Sequence, residues 1–277
     1  MAKKDNEKNK KNKFIGILLN VISVILIGVI IFCGYQIWEV YNNYAEEEKI
    51  HEEVMIYKPS DKDYDDPDIS EPGIPANPDD HNQTQIPEPK ANQSIVDAKK
   101  ANPDVVGWLT IPNTKIDYPF VQAKDNLYYV DHNFKKEKAK AGSIFVDFRC
   151  SDDFSDFNTI MYGHHMKNGS MFGTLKHFQE KKFFDSNKTG KIYLEYRVYD
   201  IEIFAYMIVH AEDNVIYKPM KRGTDEFLKY VREKSTNYRE IGVSTEDKIV
   251  TLSTCGYSFE DARLVLIGRL KHSGGRG

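Results

Sequence analysis

The sequence predicts a mainly-β domain, a barrel or a sandwich, carried behind a membrane-spanning helix. Three observations lead there. Seven segments between residues 105 and 270 are rich in β-branched and aromatic side chains and are bounded by Gly, Pro, Asn or Asp, the pattern of short strands. Only two segments beside them read as helices. Near the N-terminus lies one uncharged run longer than a core helix needs.

Composition narrows the classes further. Among 277 residues, 38 Lys+Arg against 42 Asp+Glu leave a net charge of −4, which excludes a general nucleic-acid binder. Apolar residues make up 40%, and with 17 glycines about 46%, inside the ordinary globular range. Cys33, Cys150 and Cys255 are too few and too widely spaced for a disulfide framework or a CxxC-type zinc site.

The elements follow in order. Residues 1–13 form a basic tail in which six lysines face Asp5 and Glu7. Residues 14–38 (FIGILLNVISVILIGVIIFCGYQIW) carry no charge. As a helix they reach roughly 37 Å, more than a hydrocarbon core of about 30 Å. Lysines precede this run and Glu39, Glu46, Glu47 and Glu48 follow it, so the positive-inside rule places the N-terminus in the cytoplasm and the rest outside. A cleaved signal peptide is the competing reading. Its apolar region is usually about 7–15 residues and ends in a small-x-small site, which is missing here. A lipoprotein signal around Cys33 would want a small residue where Phe32 stands.

Residues 39–93 are expected as a short juxtamembrane helix followed by a stalk. Between Tyr57 and Lys90 lie seven of the eleven prolines and nine acids against three lysines, too little apolar surface to fold. Residues 94–272 form a single domain. Its expected strands are 105–111, 143–148, 159–162, 191–196, 199–209, 248–253 and 264–270. Its expected helices are 95–101 and 225–235, the latter with Thr224 as N-cap. Residues 273–277 read as a flexible tail.

Chemistry concentrates at strand ends. Cys255 closes the run KIVTLSTC, where a rigid backbone can hold an exposed thiol. Arg263 begins the next strand, and a tight hairpin would bring its guanidinium near the sulfur to stabilise a thiolate or an oxyanion. The strand 159–162 runs into Gly163-His164-His165 and supplies an imidazole from a second strand end. Together they suit acyl transfer. Each residue also has a plainer reading: a buried packing thiol for Cys255, solvated loop histidines, and a surface ion pair for Arg263. A zinc site from His164, His165 and Cys255 is a further alternative, opposed by the divergence of adjacent side chains on an extended backbone.

The run TLSTC at 251–255 with Arg263 beyond it, and YGHHM at 162–166 upstream, resembles the sortases, the membrane-anchored cysteine transpeptidases of Gram-positive bacteria. VVGWLTIPNTKIDYPFVQ, DNLYYVDHNF and GSIFVDF within 105–148, NTIMYGHHMKNGSMFGTL at 158–175, and the helix-bearing insertion around 217–235 resemble class B in particular. The resemblance covers about residues 95–270. It implies a closed β-barrel of about eight strands with an N-terminal helix and an insertion between the His and Cys strands. It also implies a nucleophile at Cys255, a catalytic histidine at His164 and an arginine at Arg263, with substrate-groove positions at Asn126, Val130, Tyr162 and Ser253. Where some relatives carry an acid two residues after the cysteine, this chain has Tyr257, with Glu260 and Asp261 further along. The expectation is therefore Cys, His and Arg alone.

The implied reaction is cleavage of a C-terminal sorting motif after Thr through a thioester, then transfer of the secreted protein to a peptidoglycan amine. The expected partners are sorting-motif proteins, that amine and the membrane, with no cofactor or metal and no nucleic acid. A tethered cysteine hydrolase, a pilin-polymerising transpeptidase and a non-enzymatic adhesion ectodomain are the rivals. An adhesin's cysteine would behave as an ordinary thiol of pKa about 8.5 or be buried and inert. A disulfide between Cys150 and Cys255 would be inhibitory.

Overall fold

The computed structural model describes residues 2–63 and 90–273. The chain divides into two compact units between Glu48 and Lys49. In the first, helix α1, which runs Ala2–Val54, carries the uncharged run and continues past Glu39 without a break. Its most apolar window has a mean hydropathy of 2.8 and is not covered by protein, so by length and composition this helix can cross a membrane.

The second unit follows with α2 (Gln93–Ala101), β1 (Val105–Thr110), β2 (Asp117–Val121), β3 (Ile144–Val146), β4 (Asn158–Tyr162), α3 (Lys181–Ser186) and β5 (Thr189–Leu194). It ends with β6 (Val198–His210), α4 (Asp225–Lys234), β7 (Asn237–Tyr238), β8 (Lys248–Cys255) and β9 (Ala262–His272). The strand order is β5-β1-β2-β3-β4-β8-β9-β6, and β6 pairs back onto β5. Eight strands therefore close a barrel, and β7 adds a short ninth along β6. This is the closed barrel of about eight strands that the sortase resemblance implied; the residue pattern alone had left a sandwich open.

Each of the eight strands sends side chains into one core. Leu109, Phe120, Ile144, Ile160, Ile192, Ile201, Leu252 and Leu266 all belong to it. Outside the barrel, α4 lays Phe227 and Val231 on Phe204, Ile249 and Ile267. Covered on both faces, β8 is buried from Ile249 to Thr254, which is why its sequence is nearly continuous rather than alternating. Thr224 caps α4 as expected, its hydroxyl accepting from Phe227 N (3.2 Å). Asn92 caps α2 in the same way through Ile95 N (3.0 Å).

Three elements depart from the sequence expectation: β2, α3 and the two-residue β7. β2 was not anticipated because Pro119 interrupts it and cannot donate to a ladder. It is tolerated because β3 pairs β2 only at Phe120 and Val121, leaving Pro119 one open edge. α3 is too short to show helical periodicity.

The compact unit also begins upstream of the expected start at Ser94. Val54 is 3% exposed and packs with Ile95, Trp108 and Tyr193. Lys58 pairs with Asp117 (2.5 Å), whose other oxygen accepts from Trp108 Nε1 (2.8 Å). Lys49–Asp63 is thus a strap on the barrel. Most of the expected stalk, residues 64–89, lies outside the described residues, but both its flanks attach to one corner. Asp61 accepts from the Tyr193 hydroxyl (2.9 Å), and the N–H of Asn92 donates to Glu195 O (2.6 Å). Composition carries no information on where the flanks attach.

Candidate active site

β4 and β8 run parallel with Tyr162 level with Ser253, so both release their chains at one edge of the barrel. The N–H of Gly163 donates to Ser253 O (3.3 Å), which carries the ladder one residue beyond β4 and leads directly into His164. β8 and β9 are antiparallel, with Cys255 directly opposite Arg263. Cys255 is the first exposed residue after the buried run of β8 and is a free thiol. Three strand ends thus deliver a thiol, an imidazole and a guanidinium to one cavity of about 470 Å³.

All seven residues singled out from sequence, Cys255, His164, Arg263, Asn126, Val130, Tyr162 and Ser253, line that cavity. Arg149, Phe145, Ala211 and Tyr217 line it too and were missed. Arg149 follows the SIFVDF strand and Tyr217 lies in the insertion, so the signal available was proximity to elements already read, not residue type.

Behind the cavity sits a polar network. Asp147 is fully buried and takes two hydrogen bonds from the Arg149 guanidinium (2.8 and 2.7 Å) and one from the Tyr162 hydroxyl (3.0 Å). Burial pushes the Asp147 carboxyl up, but Arg149, through side chain and backbone N–H, and Tyr162 together hold it below the usual carboxylate range. Burial and the Asp147 charge push the Tyr162 phenol well up. Arg149 also donates to Tyr217 O (3.1 Å), tying the end of β3 to the insertion. Tyr217 and Ser253 share a hydroxyl hydrogen bond (2.8 Å), and burial pushes the Tyr217 phenol up to about 12. The Asn126 side-chain oxygen accepts from Phe148 N (3.0 Å). Tyr162, Ser253 and Asn126 are therefore already engaged in holding the cavity wall.

The histidines diverge. His164 Nε2 bonds to Val130 O (2.7 Å), whereas His165 Nδ1 bonds to Cys255 O (2.7 Å) and its ring meets Tyr257 at 5.1 Å. Divergence removes the basis for a joint zinc site. The N–H of Gly256, beside the thiol, donates to Ala262 O (2.8 Å) within the hairpin, which leaves Arg263 as the cationic donor facing Cys255 across the ladder. Cys150 is buried, and burial pushes its thiol up to about 11, the behaviour of a packing residue.

An exposed thiol closing one barrel strand, with imidazole and guanidinium from adjoining strand ends, has the make-up of a cysteine enzyme of acyl transfer. Comparison with known proteins narrows that class. The family model described as the sortase domain matches residues 109–271. Sortase B of Listeria monocytogenes is 40% identical over 209 residues, covering 69% of this chain and 85% of the relative. A crystal structure of a Streptococcus pyogenes class B sortase involved in pilus biogenesis superposes with a TM-score of 0.60 at 37% identity, over 64% of this chain and 97% of that one. A Staphylococcus aureus sortase B–substrate complex does so with a TM-score of 0.62 at 29% identity, over 67% and 88%. The chain belongs to the sortase family, within its class B, and is a sortase transpeptidase.

Proposed function

We propose that this enzyme cleaves a C-terminal sorting motif after Thr and joins the Thr carbonyl to an amine of a cell-wall peptidoglycan precursor. The observation that carries the reading is the convergence of Cys255, His164 and Arg263 in one cavity from three strand ends. Cys255, as thiolate, attacks the Thr carbonyl carbon, and the carbonyl π electrons move to oxygen. Arg263 stabilises that oxyanion. Collapse breaks the C–N bond, and protonated His164 gives its proton to the departing amine, leaving a thioester. The acceptor amine attacks the thioester, His164 takes its proton, and the C–S bond breaks to restore the thiolate.

Asn126, Val130, Tyr162 and Ser253 form the groove wall in this reading. α1 is the single-pass anchor, with the basic tail in the cytoplasm and the barrel outside. Tethering raises the local concentration of both substrates at the membrane surface. The S. aureus substrate complex supports occupancy of such a groove in a relative. The S. pyogenes relative favours a second reading, in which a Lys side chain of a pilus subunit is the acceptor.

The test uses quenched peptides carrying Thr-Gly and Thr-Asn motifs, with and without peptidoglycan-type and Lys amines, beside Cys255→Ala. Cysteine-dependent ligation is expected, and the better amine decides between the two acceptors. Cleavage without ligation to any amine would favour a hydrolase, and no cleavage at all would overturn the reading.

A further inference from the structure

His164 has a hydrogen-bond partner that is neither an acid nor a side chain. Its Nε2 lies 2.7 Å from the Val130 carbonyl oxygen, and among the described residues no carboxylate shares a hydrogen bond with the ring. A carbonyl oxygen only accepts, so Nε2 must carry the proton whenever this bond is made. The turn that presents the carbonyl is built to hold it. Asp125 Oδ1 accepts from the N–H groups of Leu127 (2.8 Å) and Tyr128 (2.9 Å), fixing the start of the turn Tyr128–Val130. Those two N–H groups also hold the Asp125 carboxyl below its usual range. Tyr129 is buried, and its hydroxyl donates to Asp104 (2.7 Å). Gly142 passes directly beneath with φ of +57°, and a Cβ there would lie 2.5 Å from both the Tyr129 and Val130 carbonyl oxygens. Only glycine fits.

We infer that the Val130 carbonyl, positioned by Asp125 and Gly142, is the orienting group of His164, filling with main chain the role that a carboxylate fills in a Cys-His-Asp triad and leaving Nδ1 as the ring nitrogen that exchanges protons. This rests on the proposed role of His164. In chemical terms, Nε2–H stays bonded to Val130 O throughout the cycle. Nδ1 then carries the proton given to the departing amine and receives the one taken from the acceptor. Asp125 and Gly142 act through the carbonyl and are positioning residues.

The experiment uses the full chain in detergent micelles with ¹⁵N-labelled histidine rings, His164→Gln assigning the His164 signals. In the neutral ring the proton is expected on Nε2, with a hydrogen-bonded shift that moves in Gly142→Ala and in Asp125→Ala and returns in Asp125→Asn, whose side-chain oxygen still accepts. In peptide turnover, kcat is expected to fall roughly tenfold in Gly142→Ala and several-fold in Asp125→Ala, with KM changed less than about twofold, about the worth of one hydrogen bond. Asp125→Asn is expected to restore kcat. A proton on Nδ1 in the unmutated chain, or ring signals indifferent to both variants, would overturn the inference. So would shifted ring signals with unchanged kcat. Absence of Cys255-dependent turnover in the unmutated chain counts instead against the transpeptidase reading, and the ring signature then decides the tautomer by itself.

Discussion

If the strap Lys49–Asp63 is part of the folded barrel, shaving one of its two buried side chains must weaken the whole domain. Val54 is 3% exposed, against Ile95, Trp108 and Tyr193, whereas Ile56, two residues on, is 75% exposed. Val54→Ala deletes two buried methyl groups. At about 0.8 kcal/mol each plus the cost of the small cavity, the loss is about 1.5–2.5 kcal/mol. For a domain of this size each kcal/mol moves Tm by roughly 2–4 °C, so a fall of about 3–10 °C is expected. Ile56→Ala removes more carbon from a surface position and is expected to move Tm by less than about 2 °C. Near-UV circular dichroism on the full chain in micelles reads the barrel's aromatic packing and so reports the correct unit. Equal shifts for the two variants, or none for Val54→Ala, would refute the docking of the strap.

Other expectations follow from the site. The Asp147 carboxyl is held below its unfolded value of about 3.9, so its share of stability is present above that pH and is lost as pH falls below it. Asp147→Asn is therefore expected to lower Tm at pH 7 and to flatten its decline on acidification; an unchanged acid slope would contradict the assignment. Because Arg149 is exposed, the cost at pH 7 should fall below the roughly 3–5 kcal/mol of a fully buried pair. Brief maleimide treatment of the native chain, mapped by mass spectrometry, is expected to label exposed Cys255 and to spare buried Cys150 until the barrel is unfolded. His165→Ala removes the donor to the Cys255 carbonyl and the ring contact with Tyr257, so turnover is expected to drop about two- to tenfold, against about a thousandfold or more for His164→Ala. Comparable losses would reverse the division of labour between the two histidines.

Strand-end chemistry was legible because it depends on local pattern. KIVTLSTC ends in a thiol, and a hairpin brings Arg263 back beside it whatever else the barrel does. The parallel partnership of β4 with β8, which brings His164 to the same edge, was not readable from the sequence; the strand-end pattern offered His164 and the family resemblance gave it a role, but neither gave the pairing. Pro119 hid β2 because the rule against proline in strands takes no account of an open edge. The partner of His164 was invisible for a different reason. A main-chain carbonyl has no residue identity, and the glycine that makes room for it stands 12 positions from Val130 in sequence. The strap was missed because only Val54 and Pro59 within it are fully buried, too sparse a signal for any periodicity.

The two attachments hold the flanks of residues 64–89 at one place, the β5–β6 corner. Asp61 and Asn92 are held on neighbouring parts of the same corner, by Tyr193 and Glu195. Closing a stretch of chain between two fixed ends costs only about 0.6 kcal/mol more for each doubling of its length, so a change in the number of residues between Asp61 and Asn92 is expected to leave the stability of the barrel nearly unmoved.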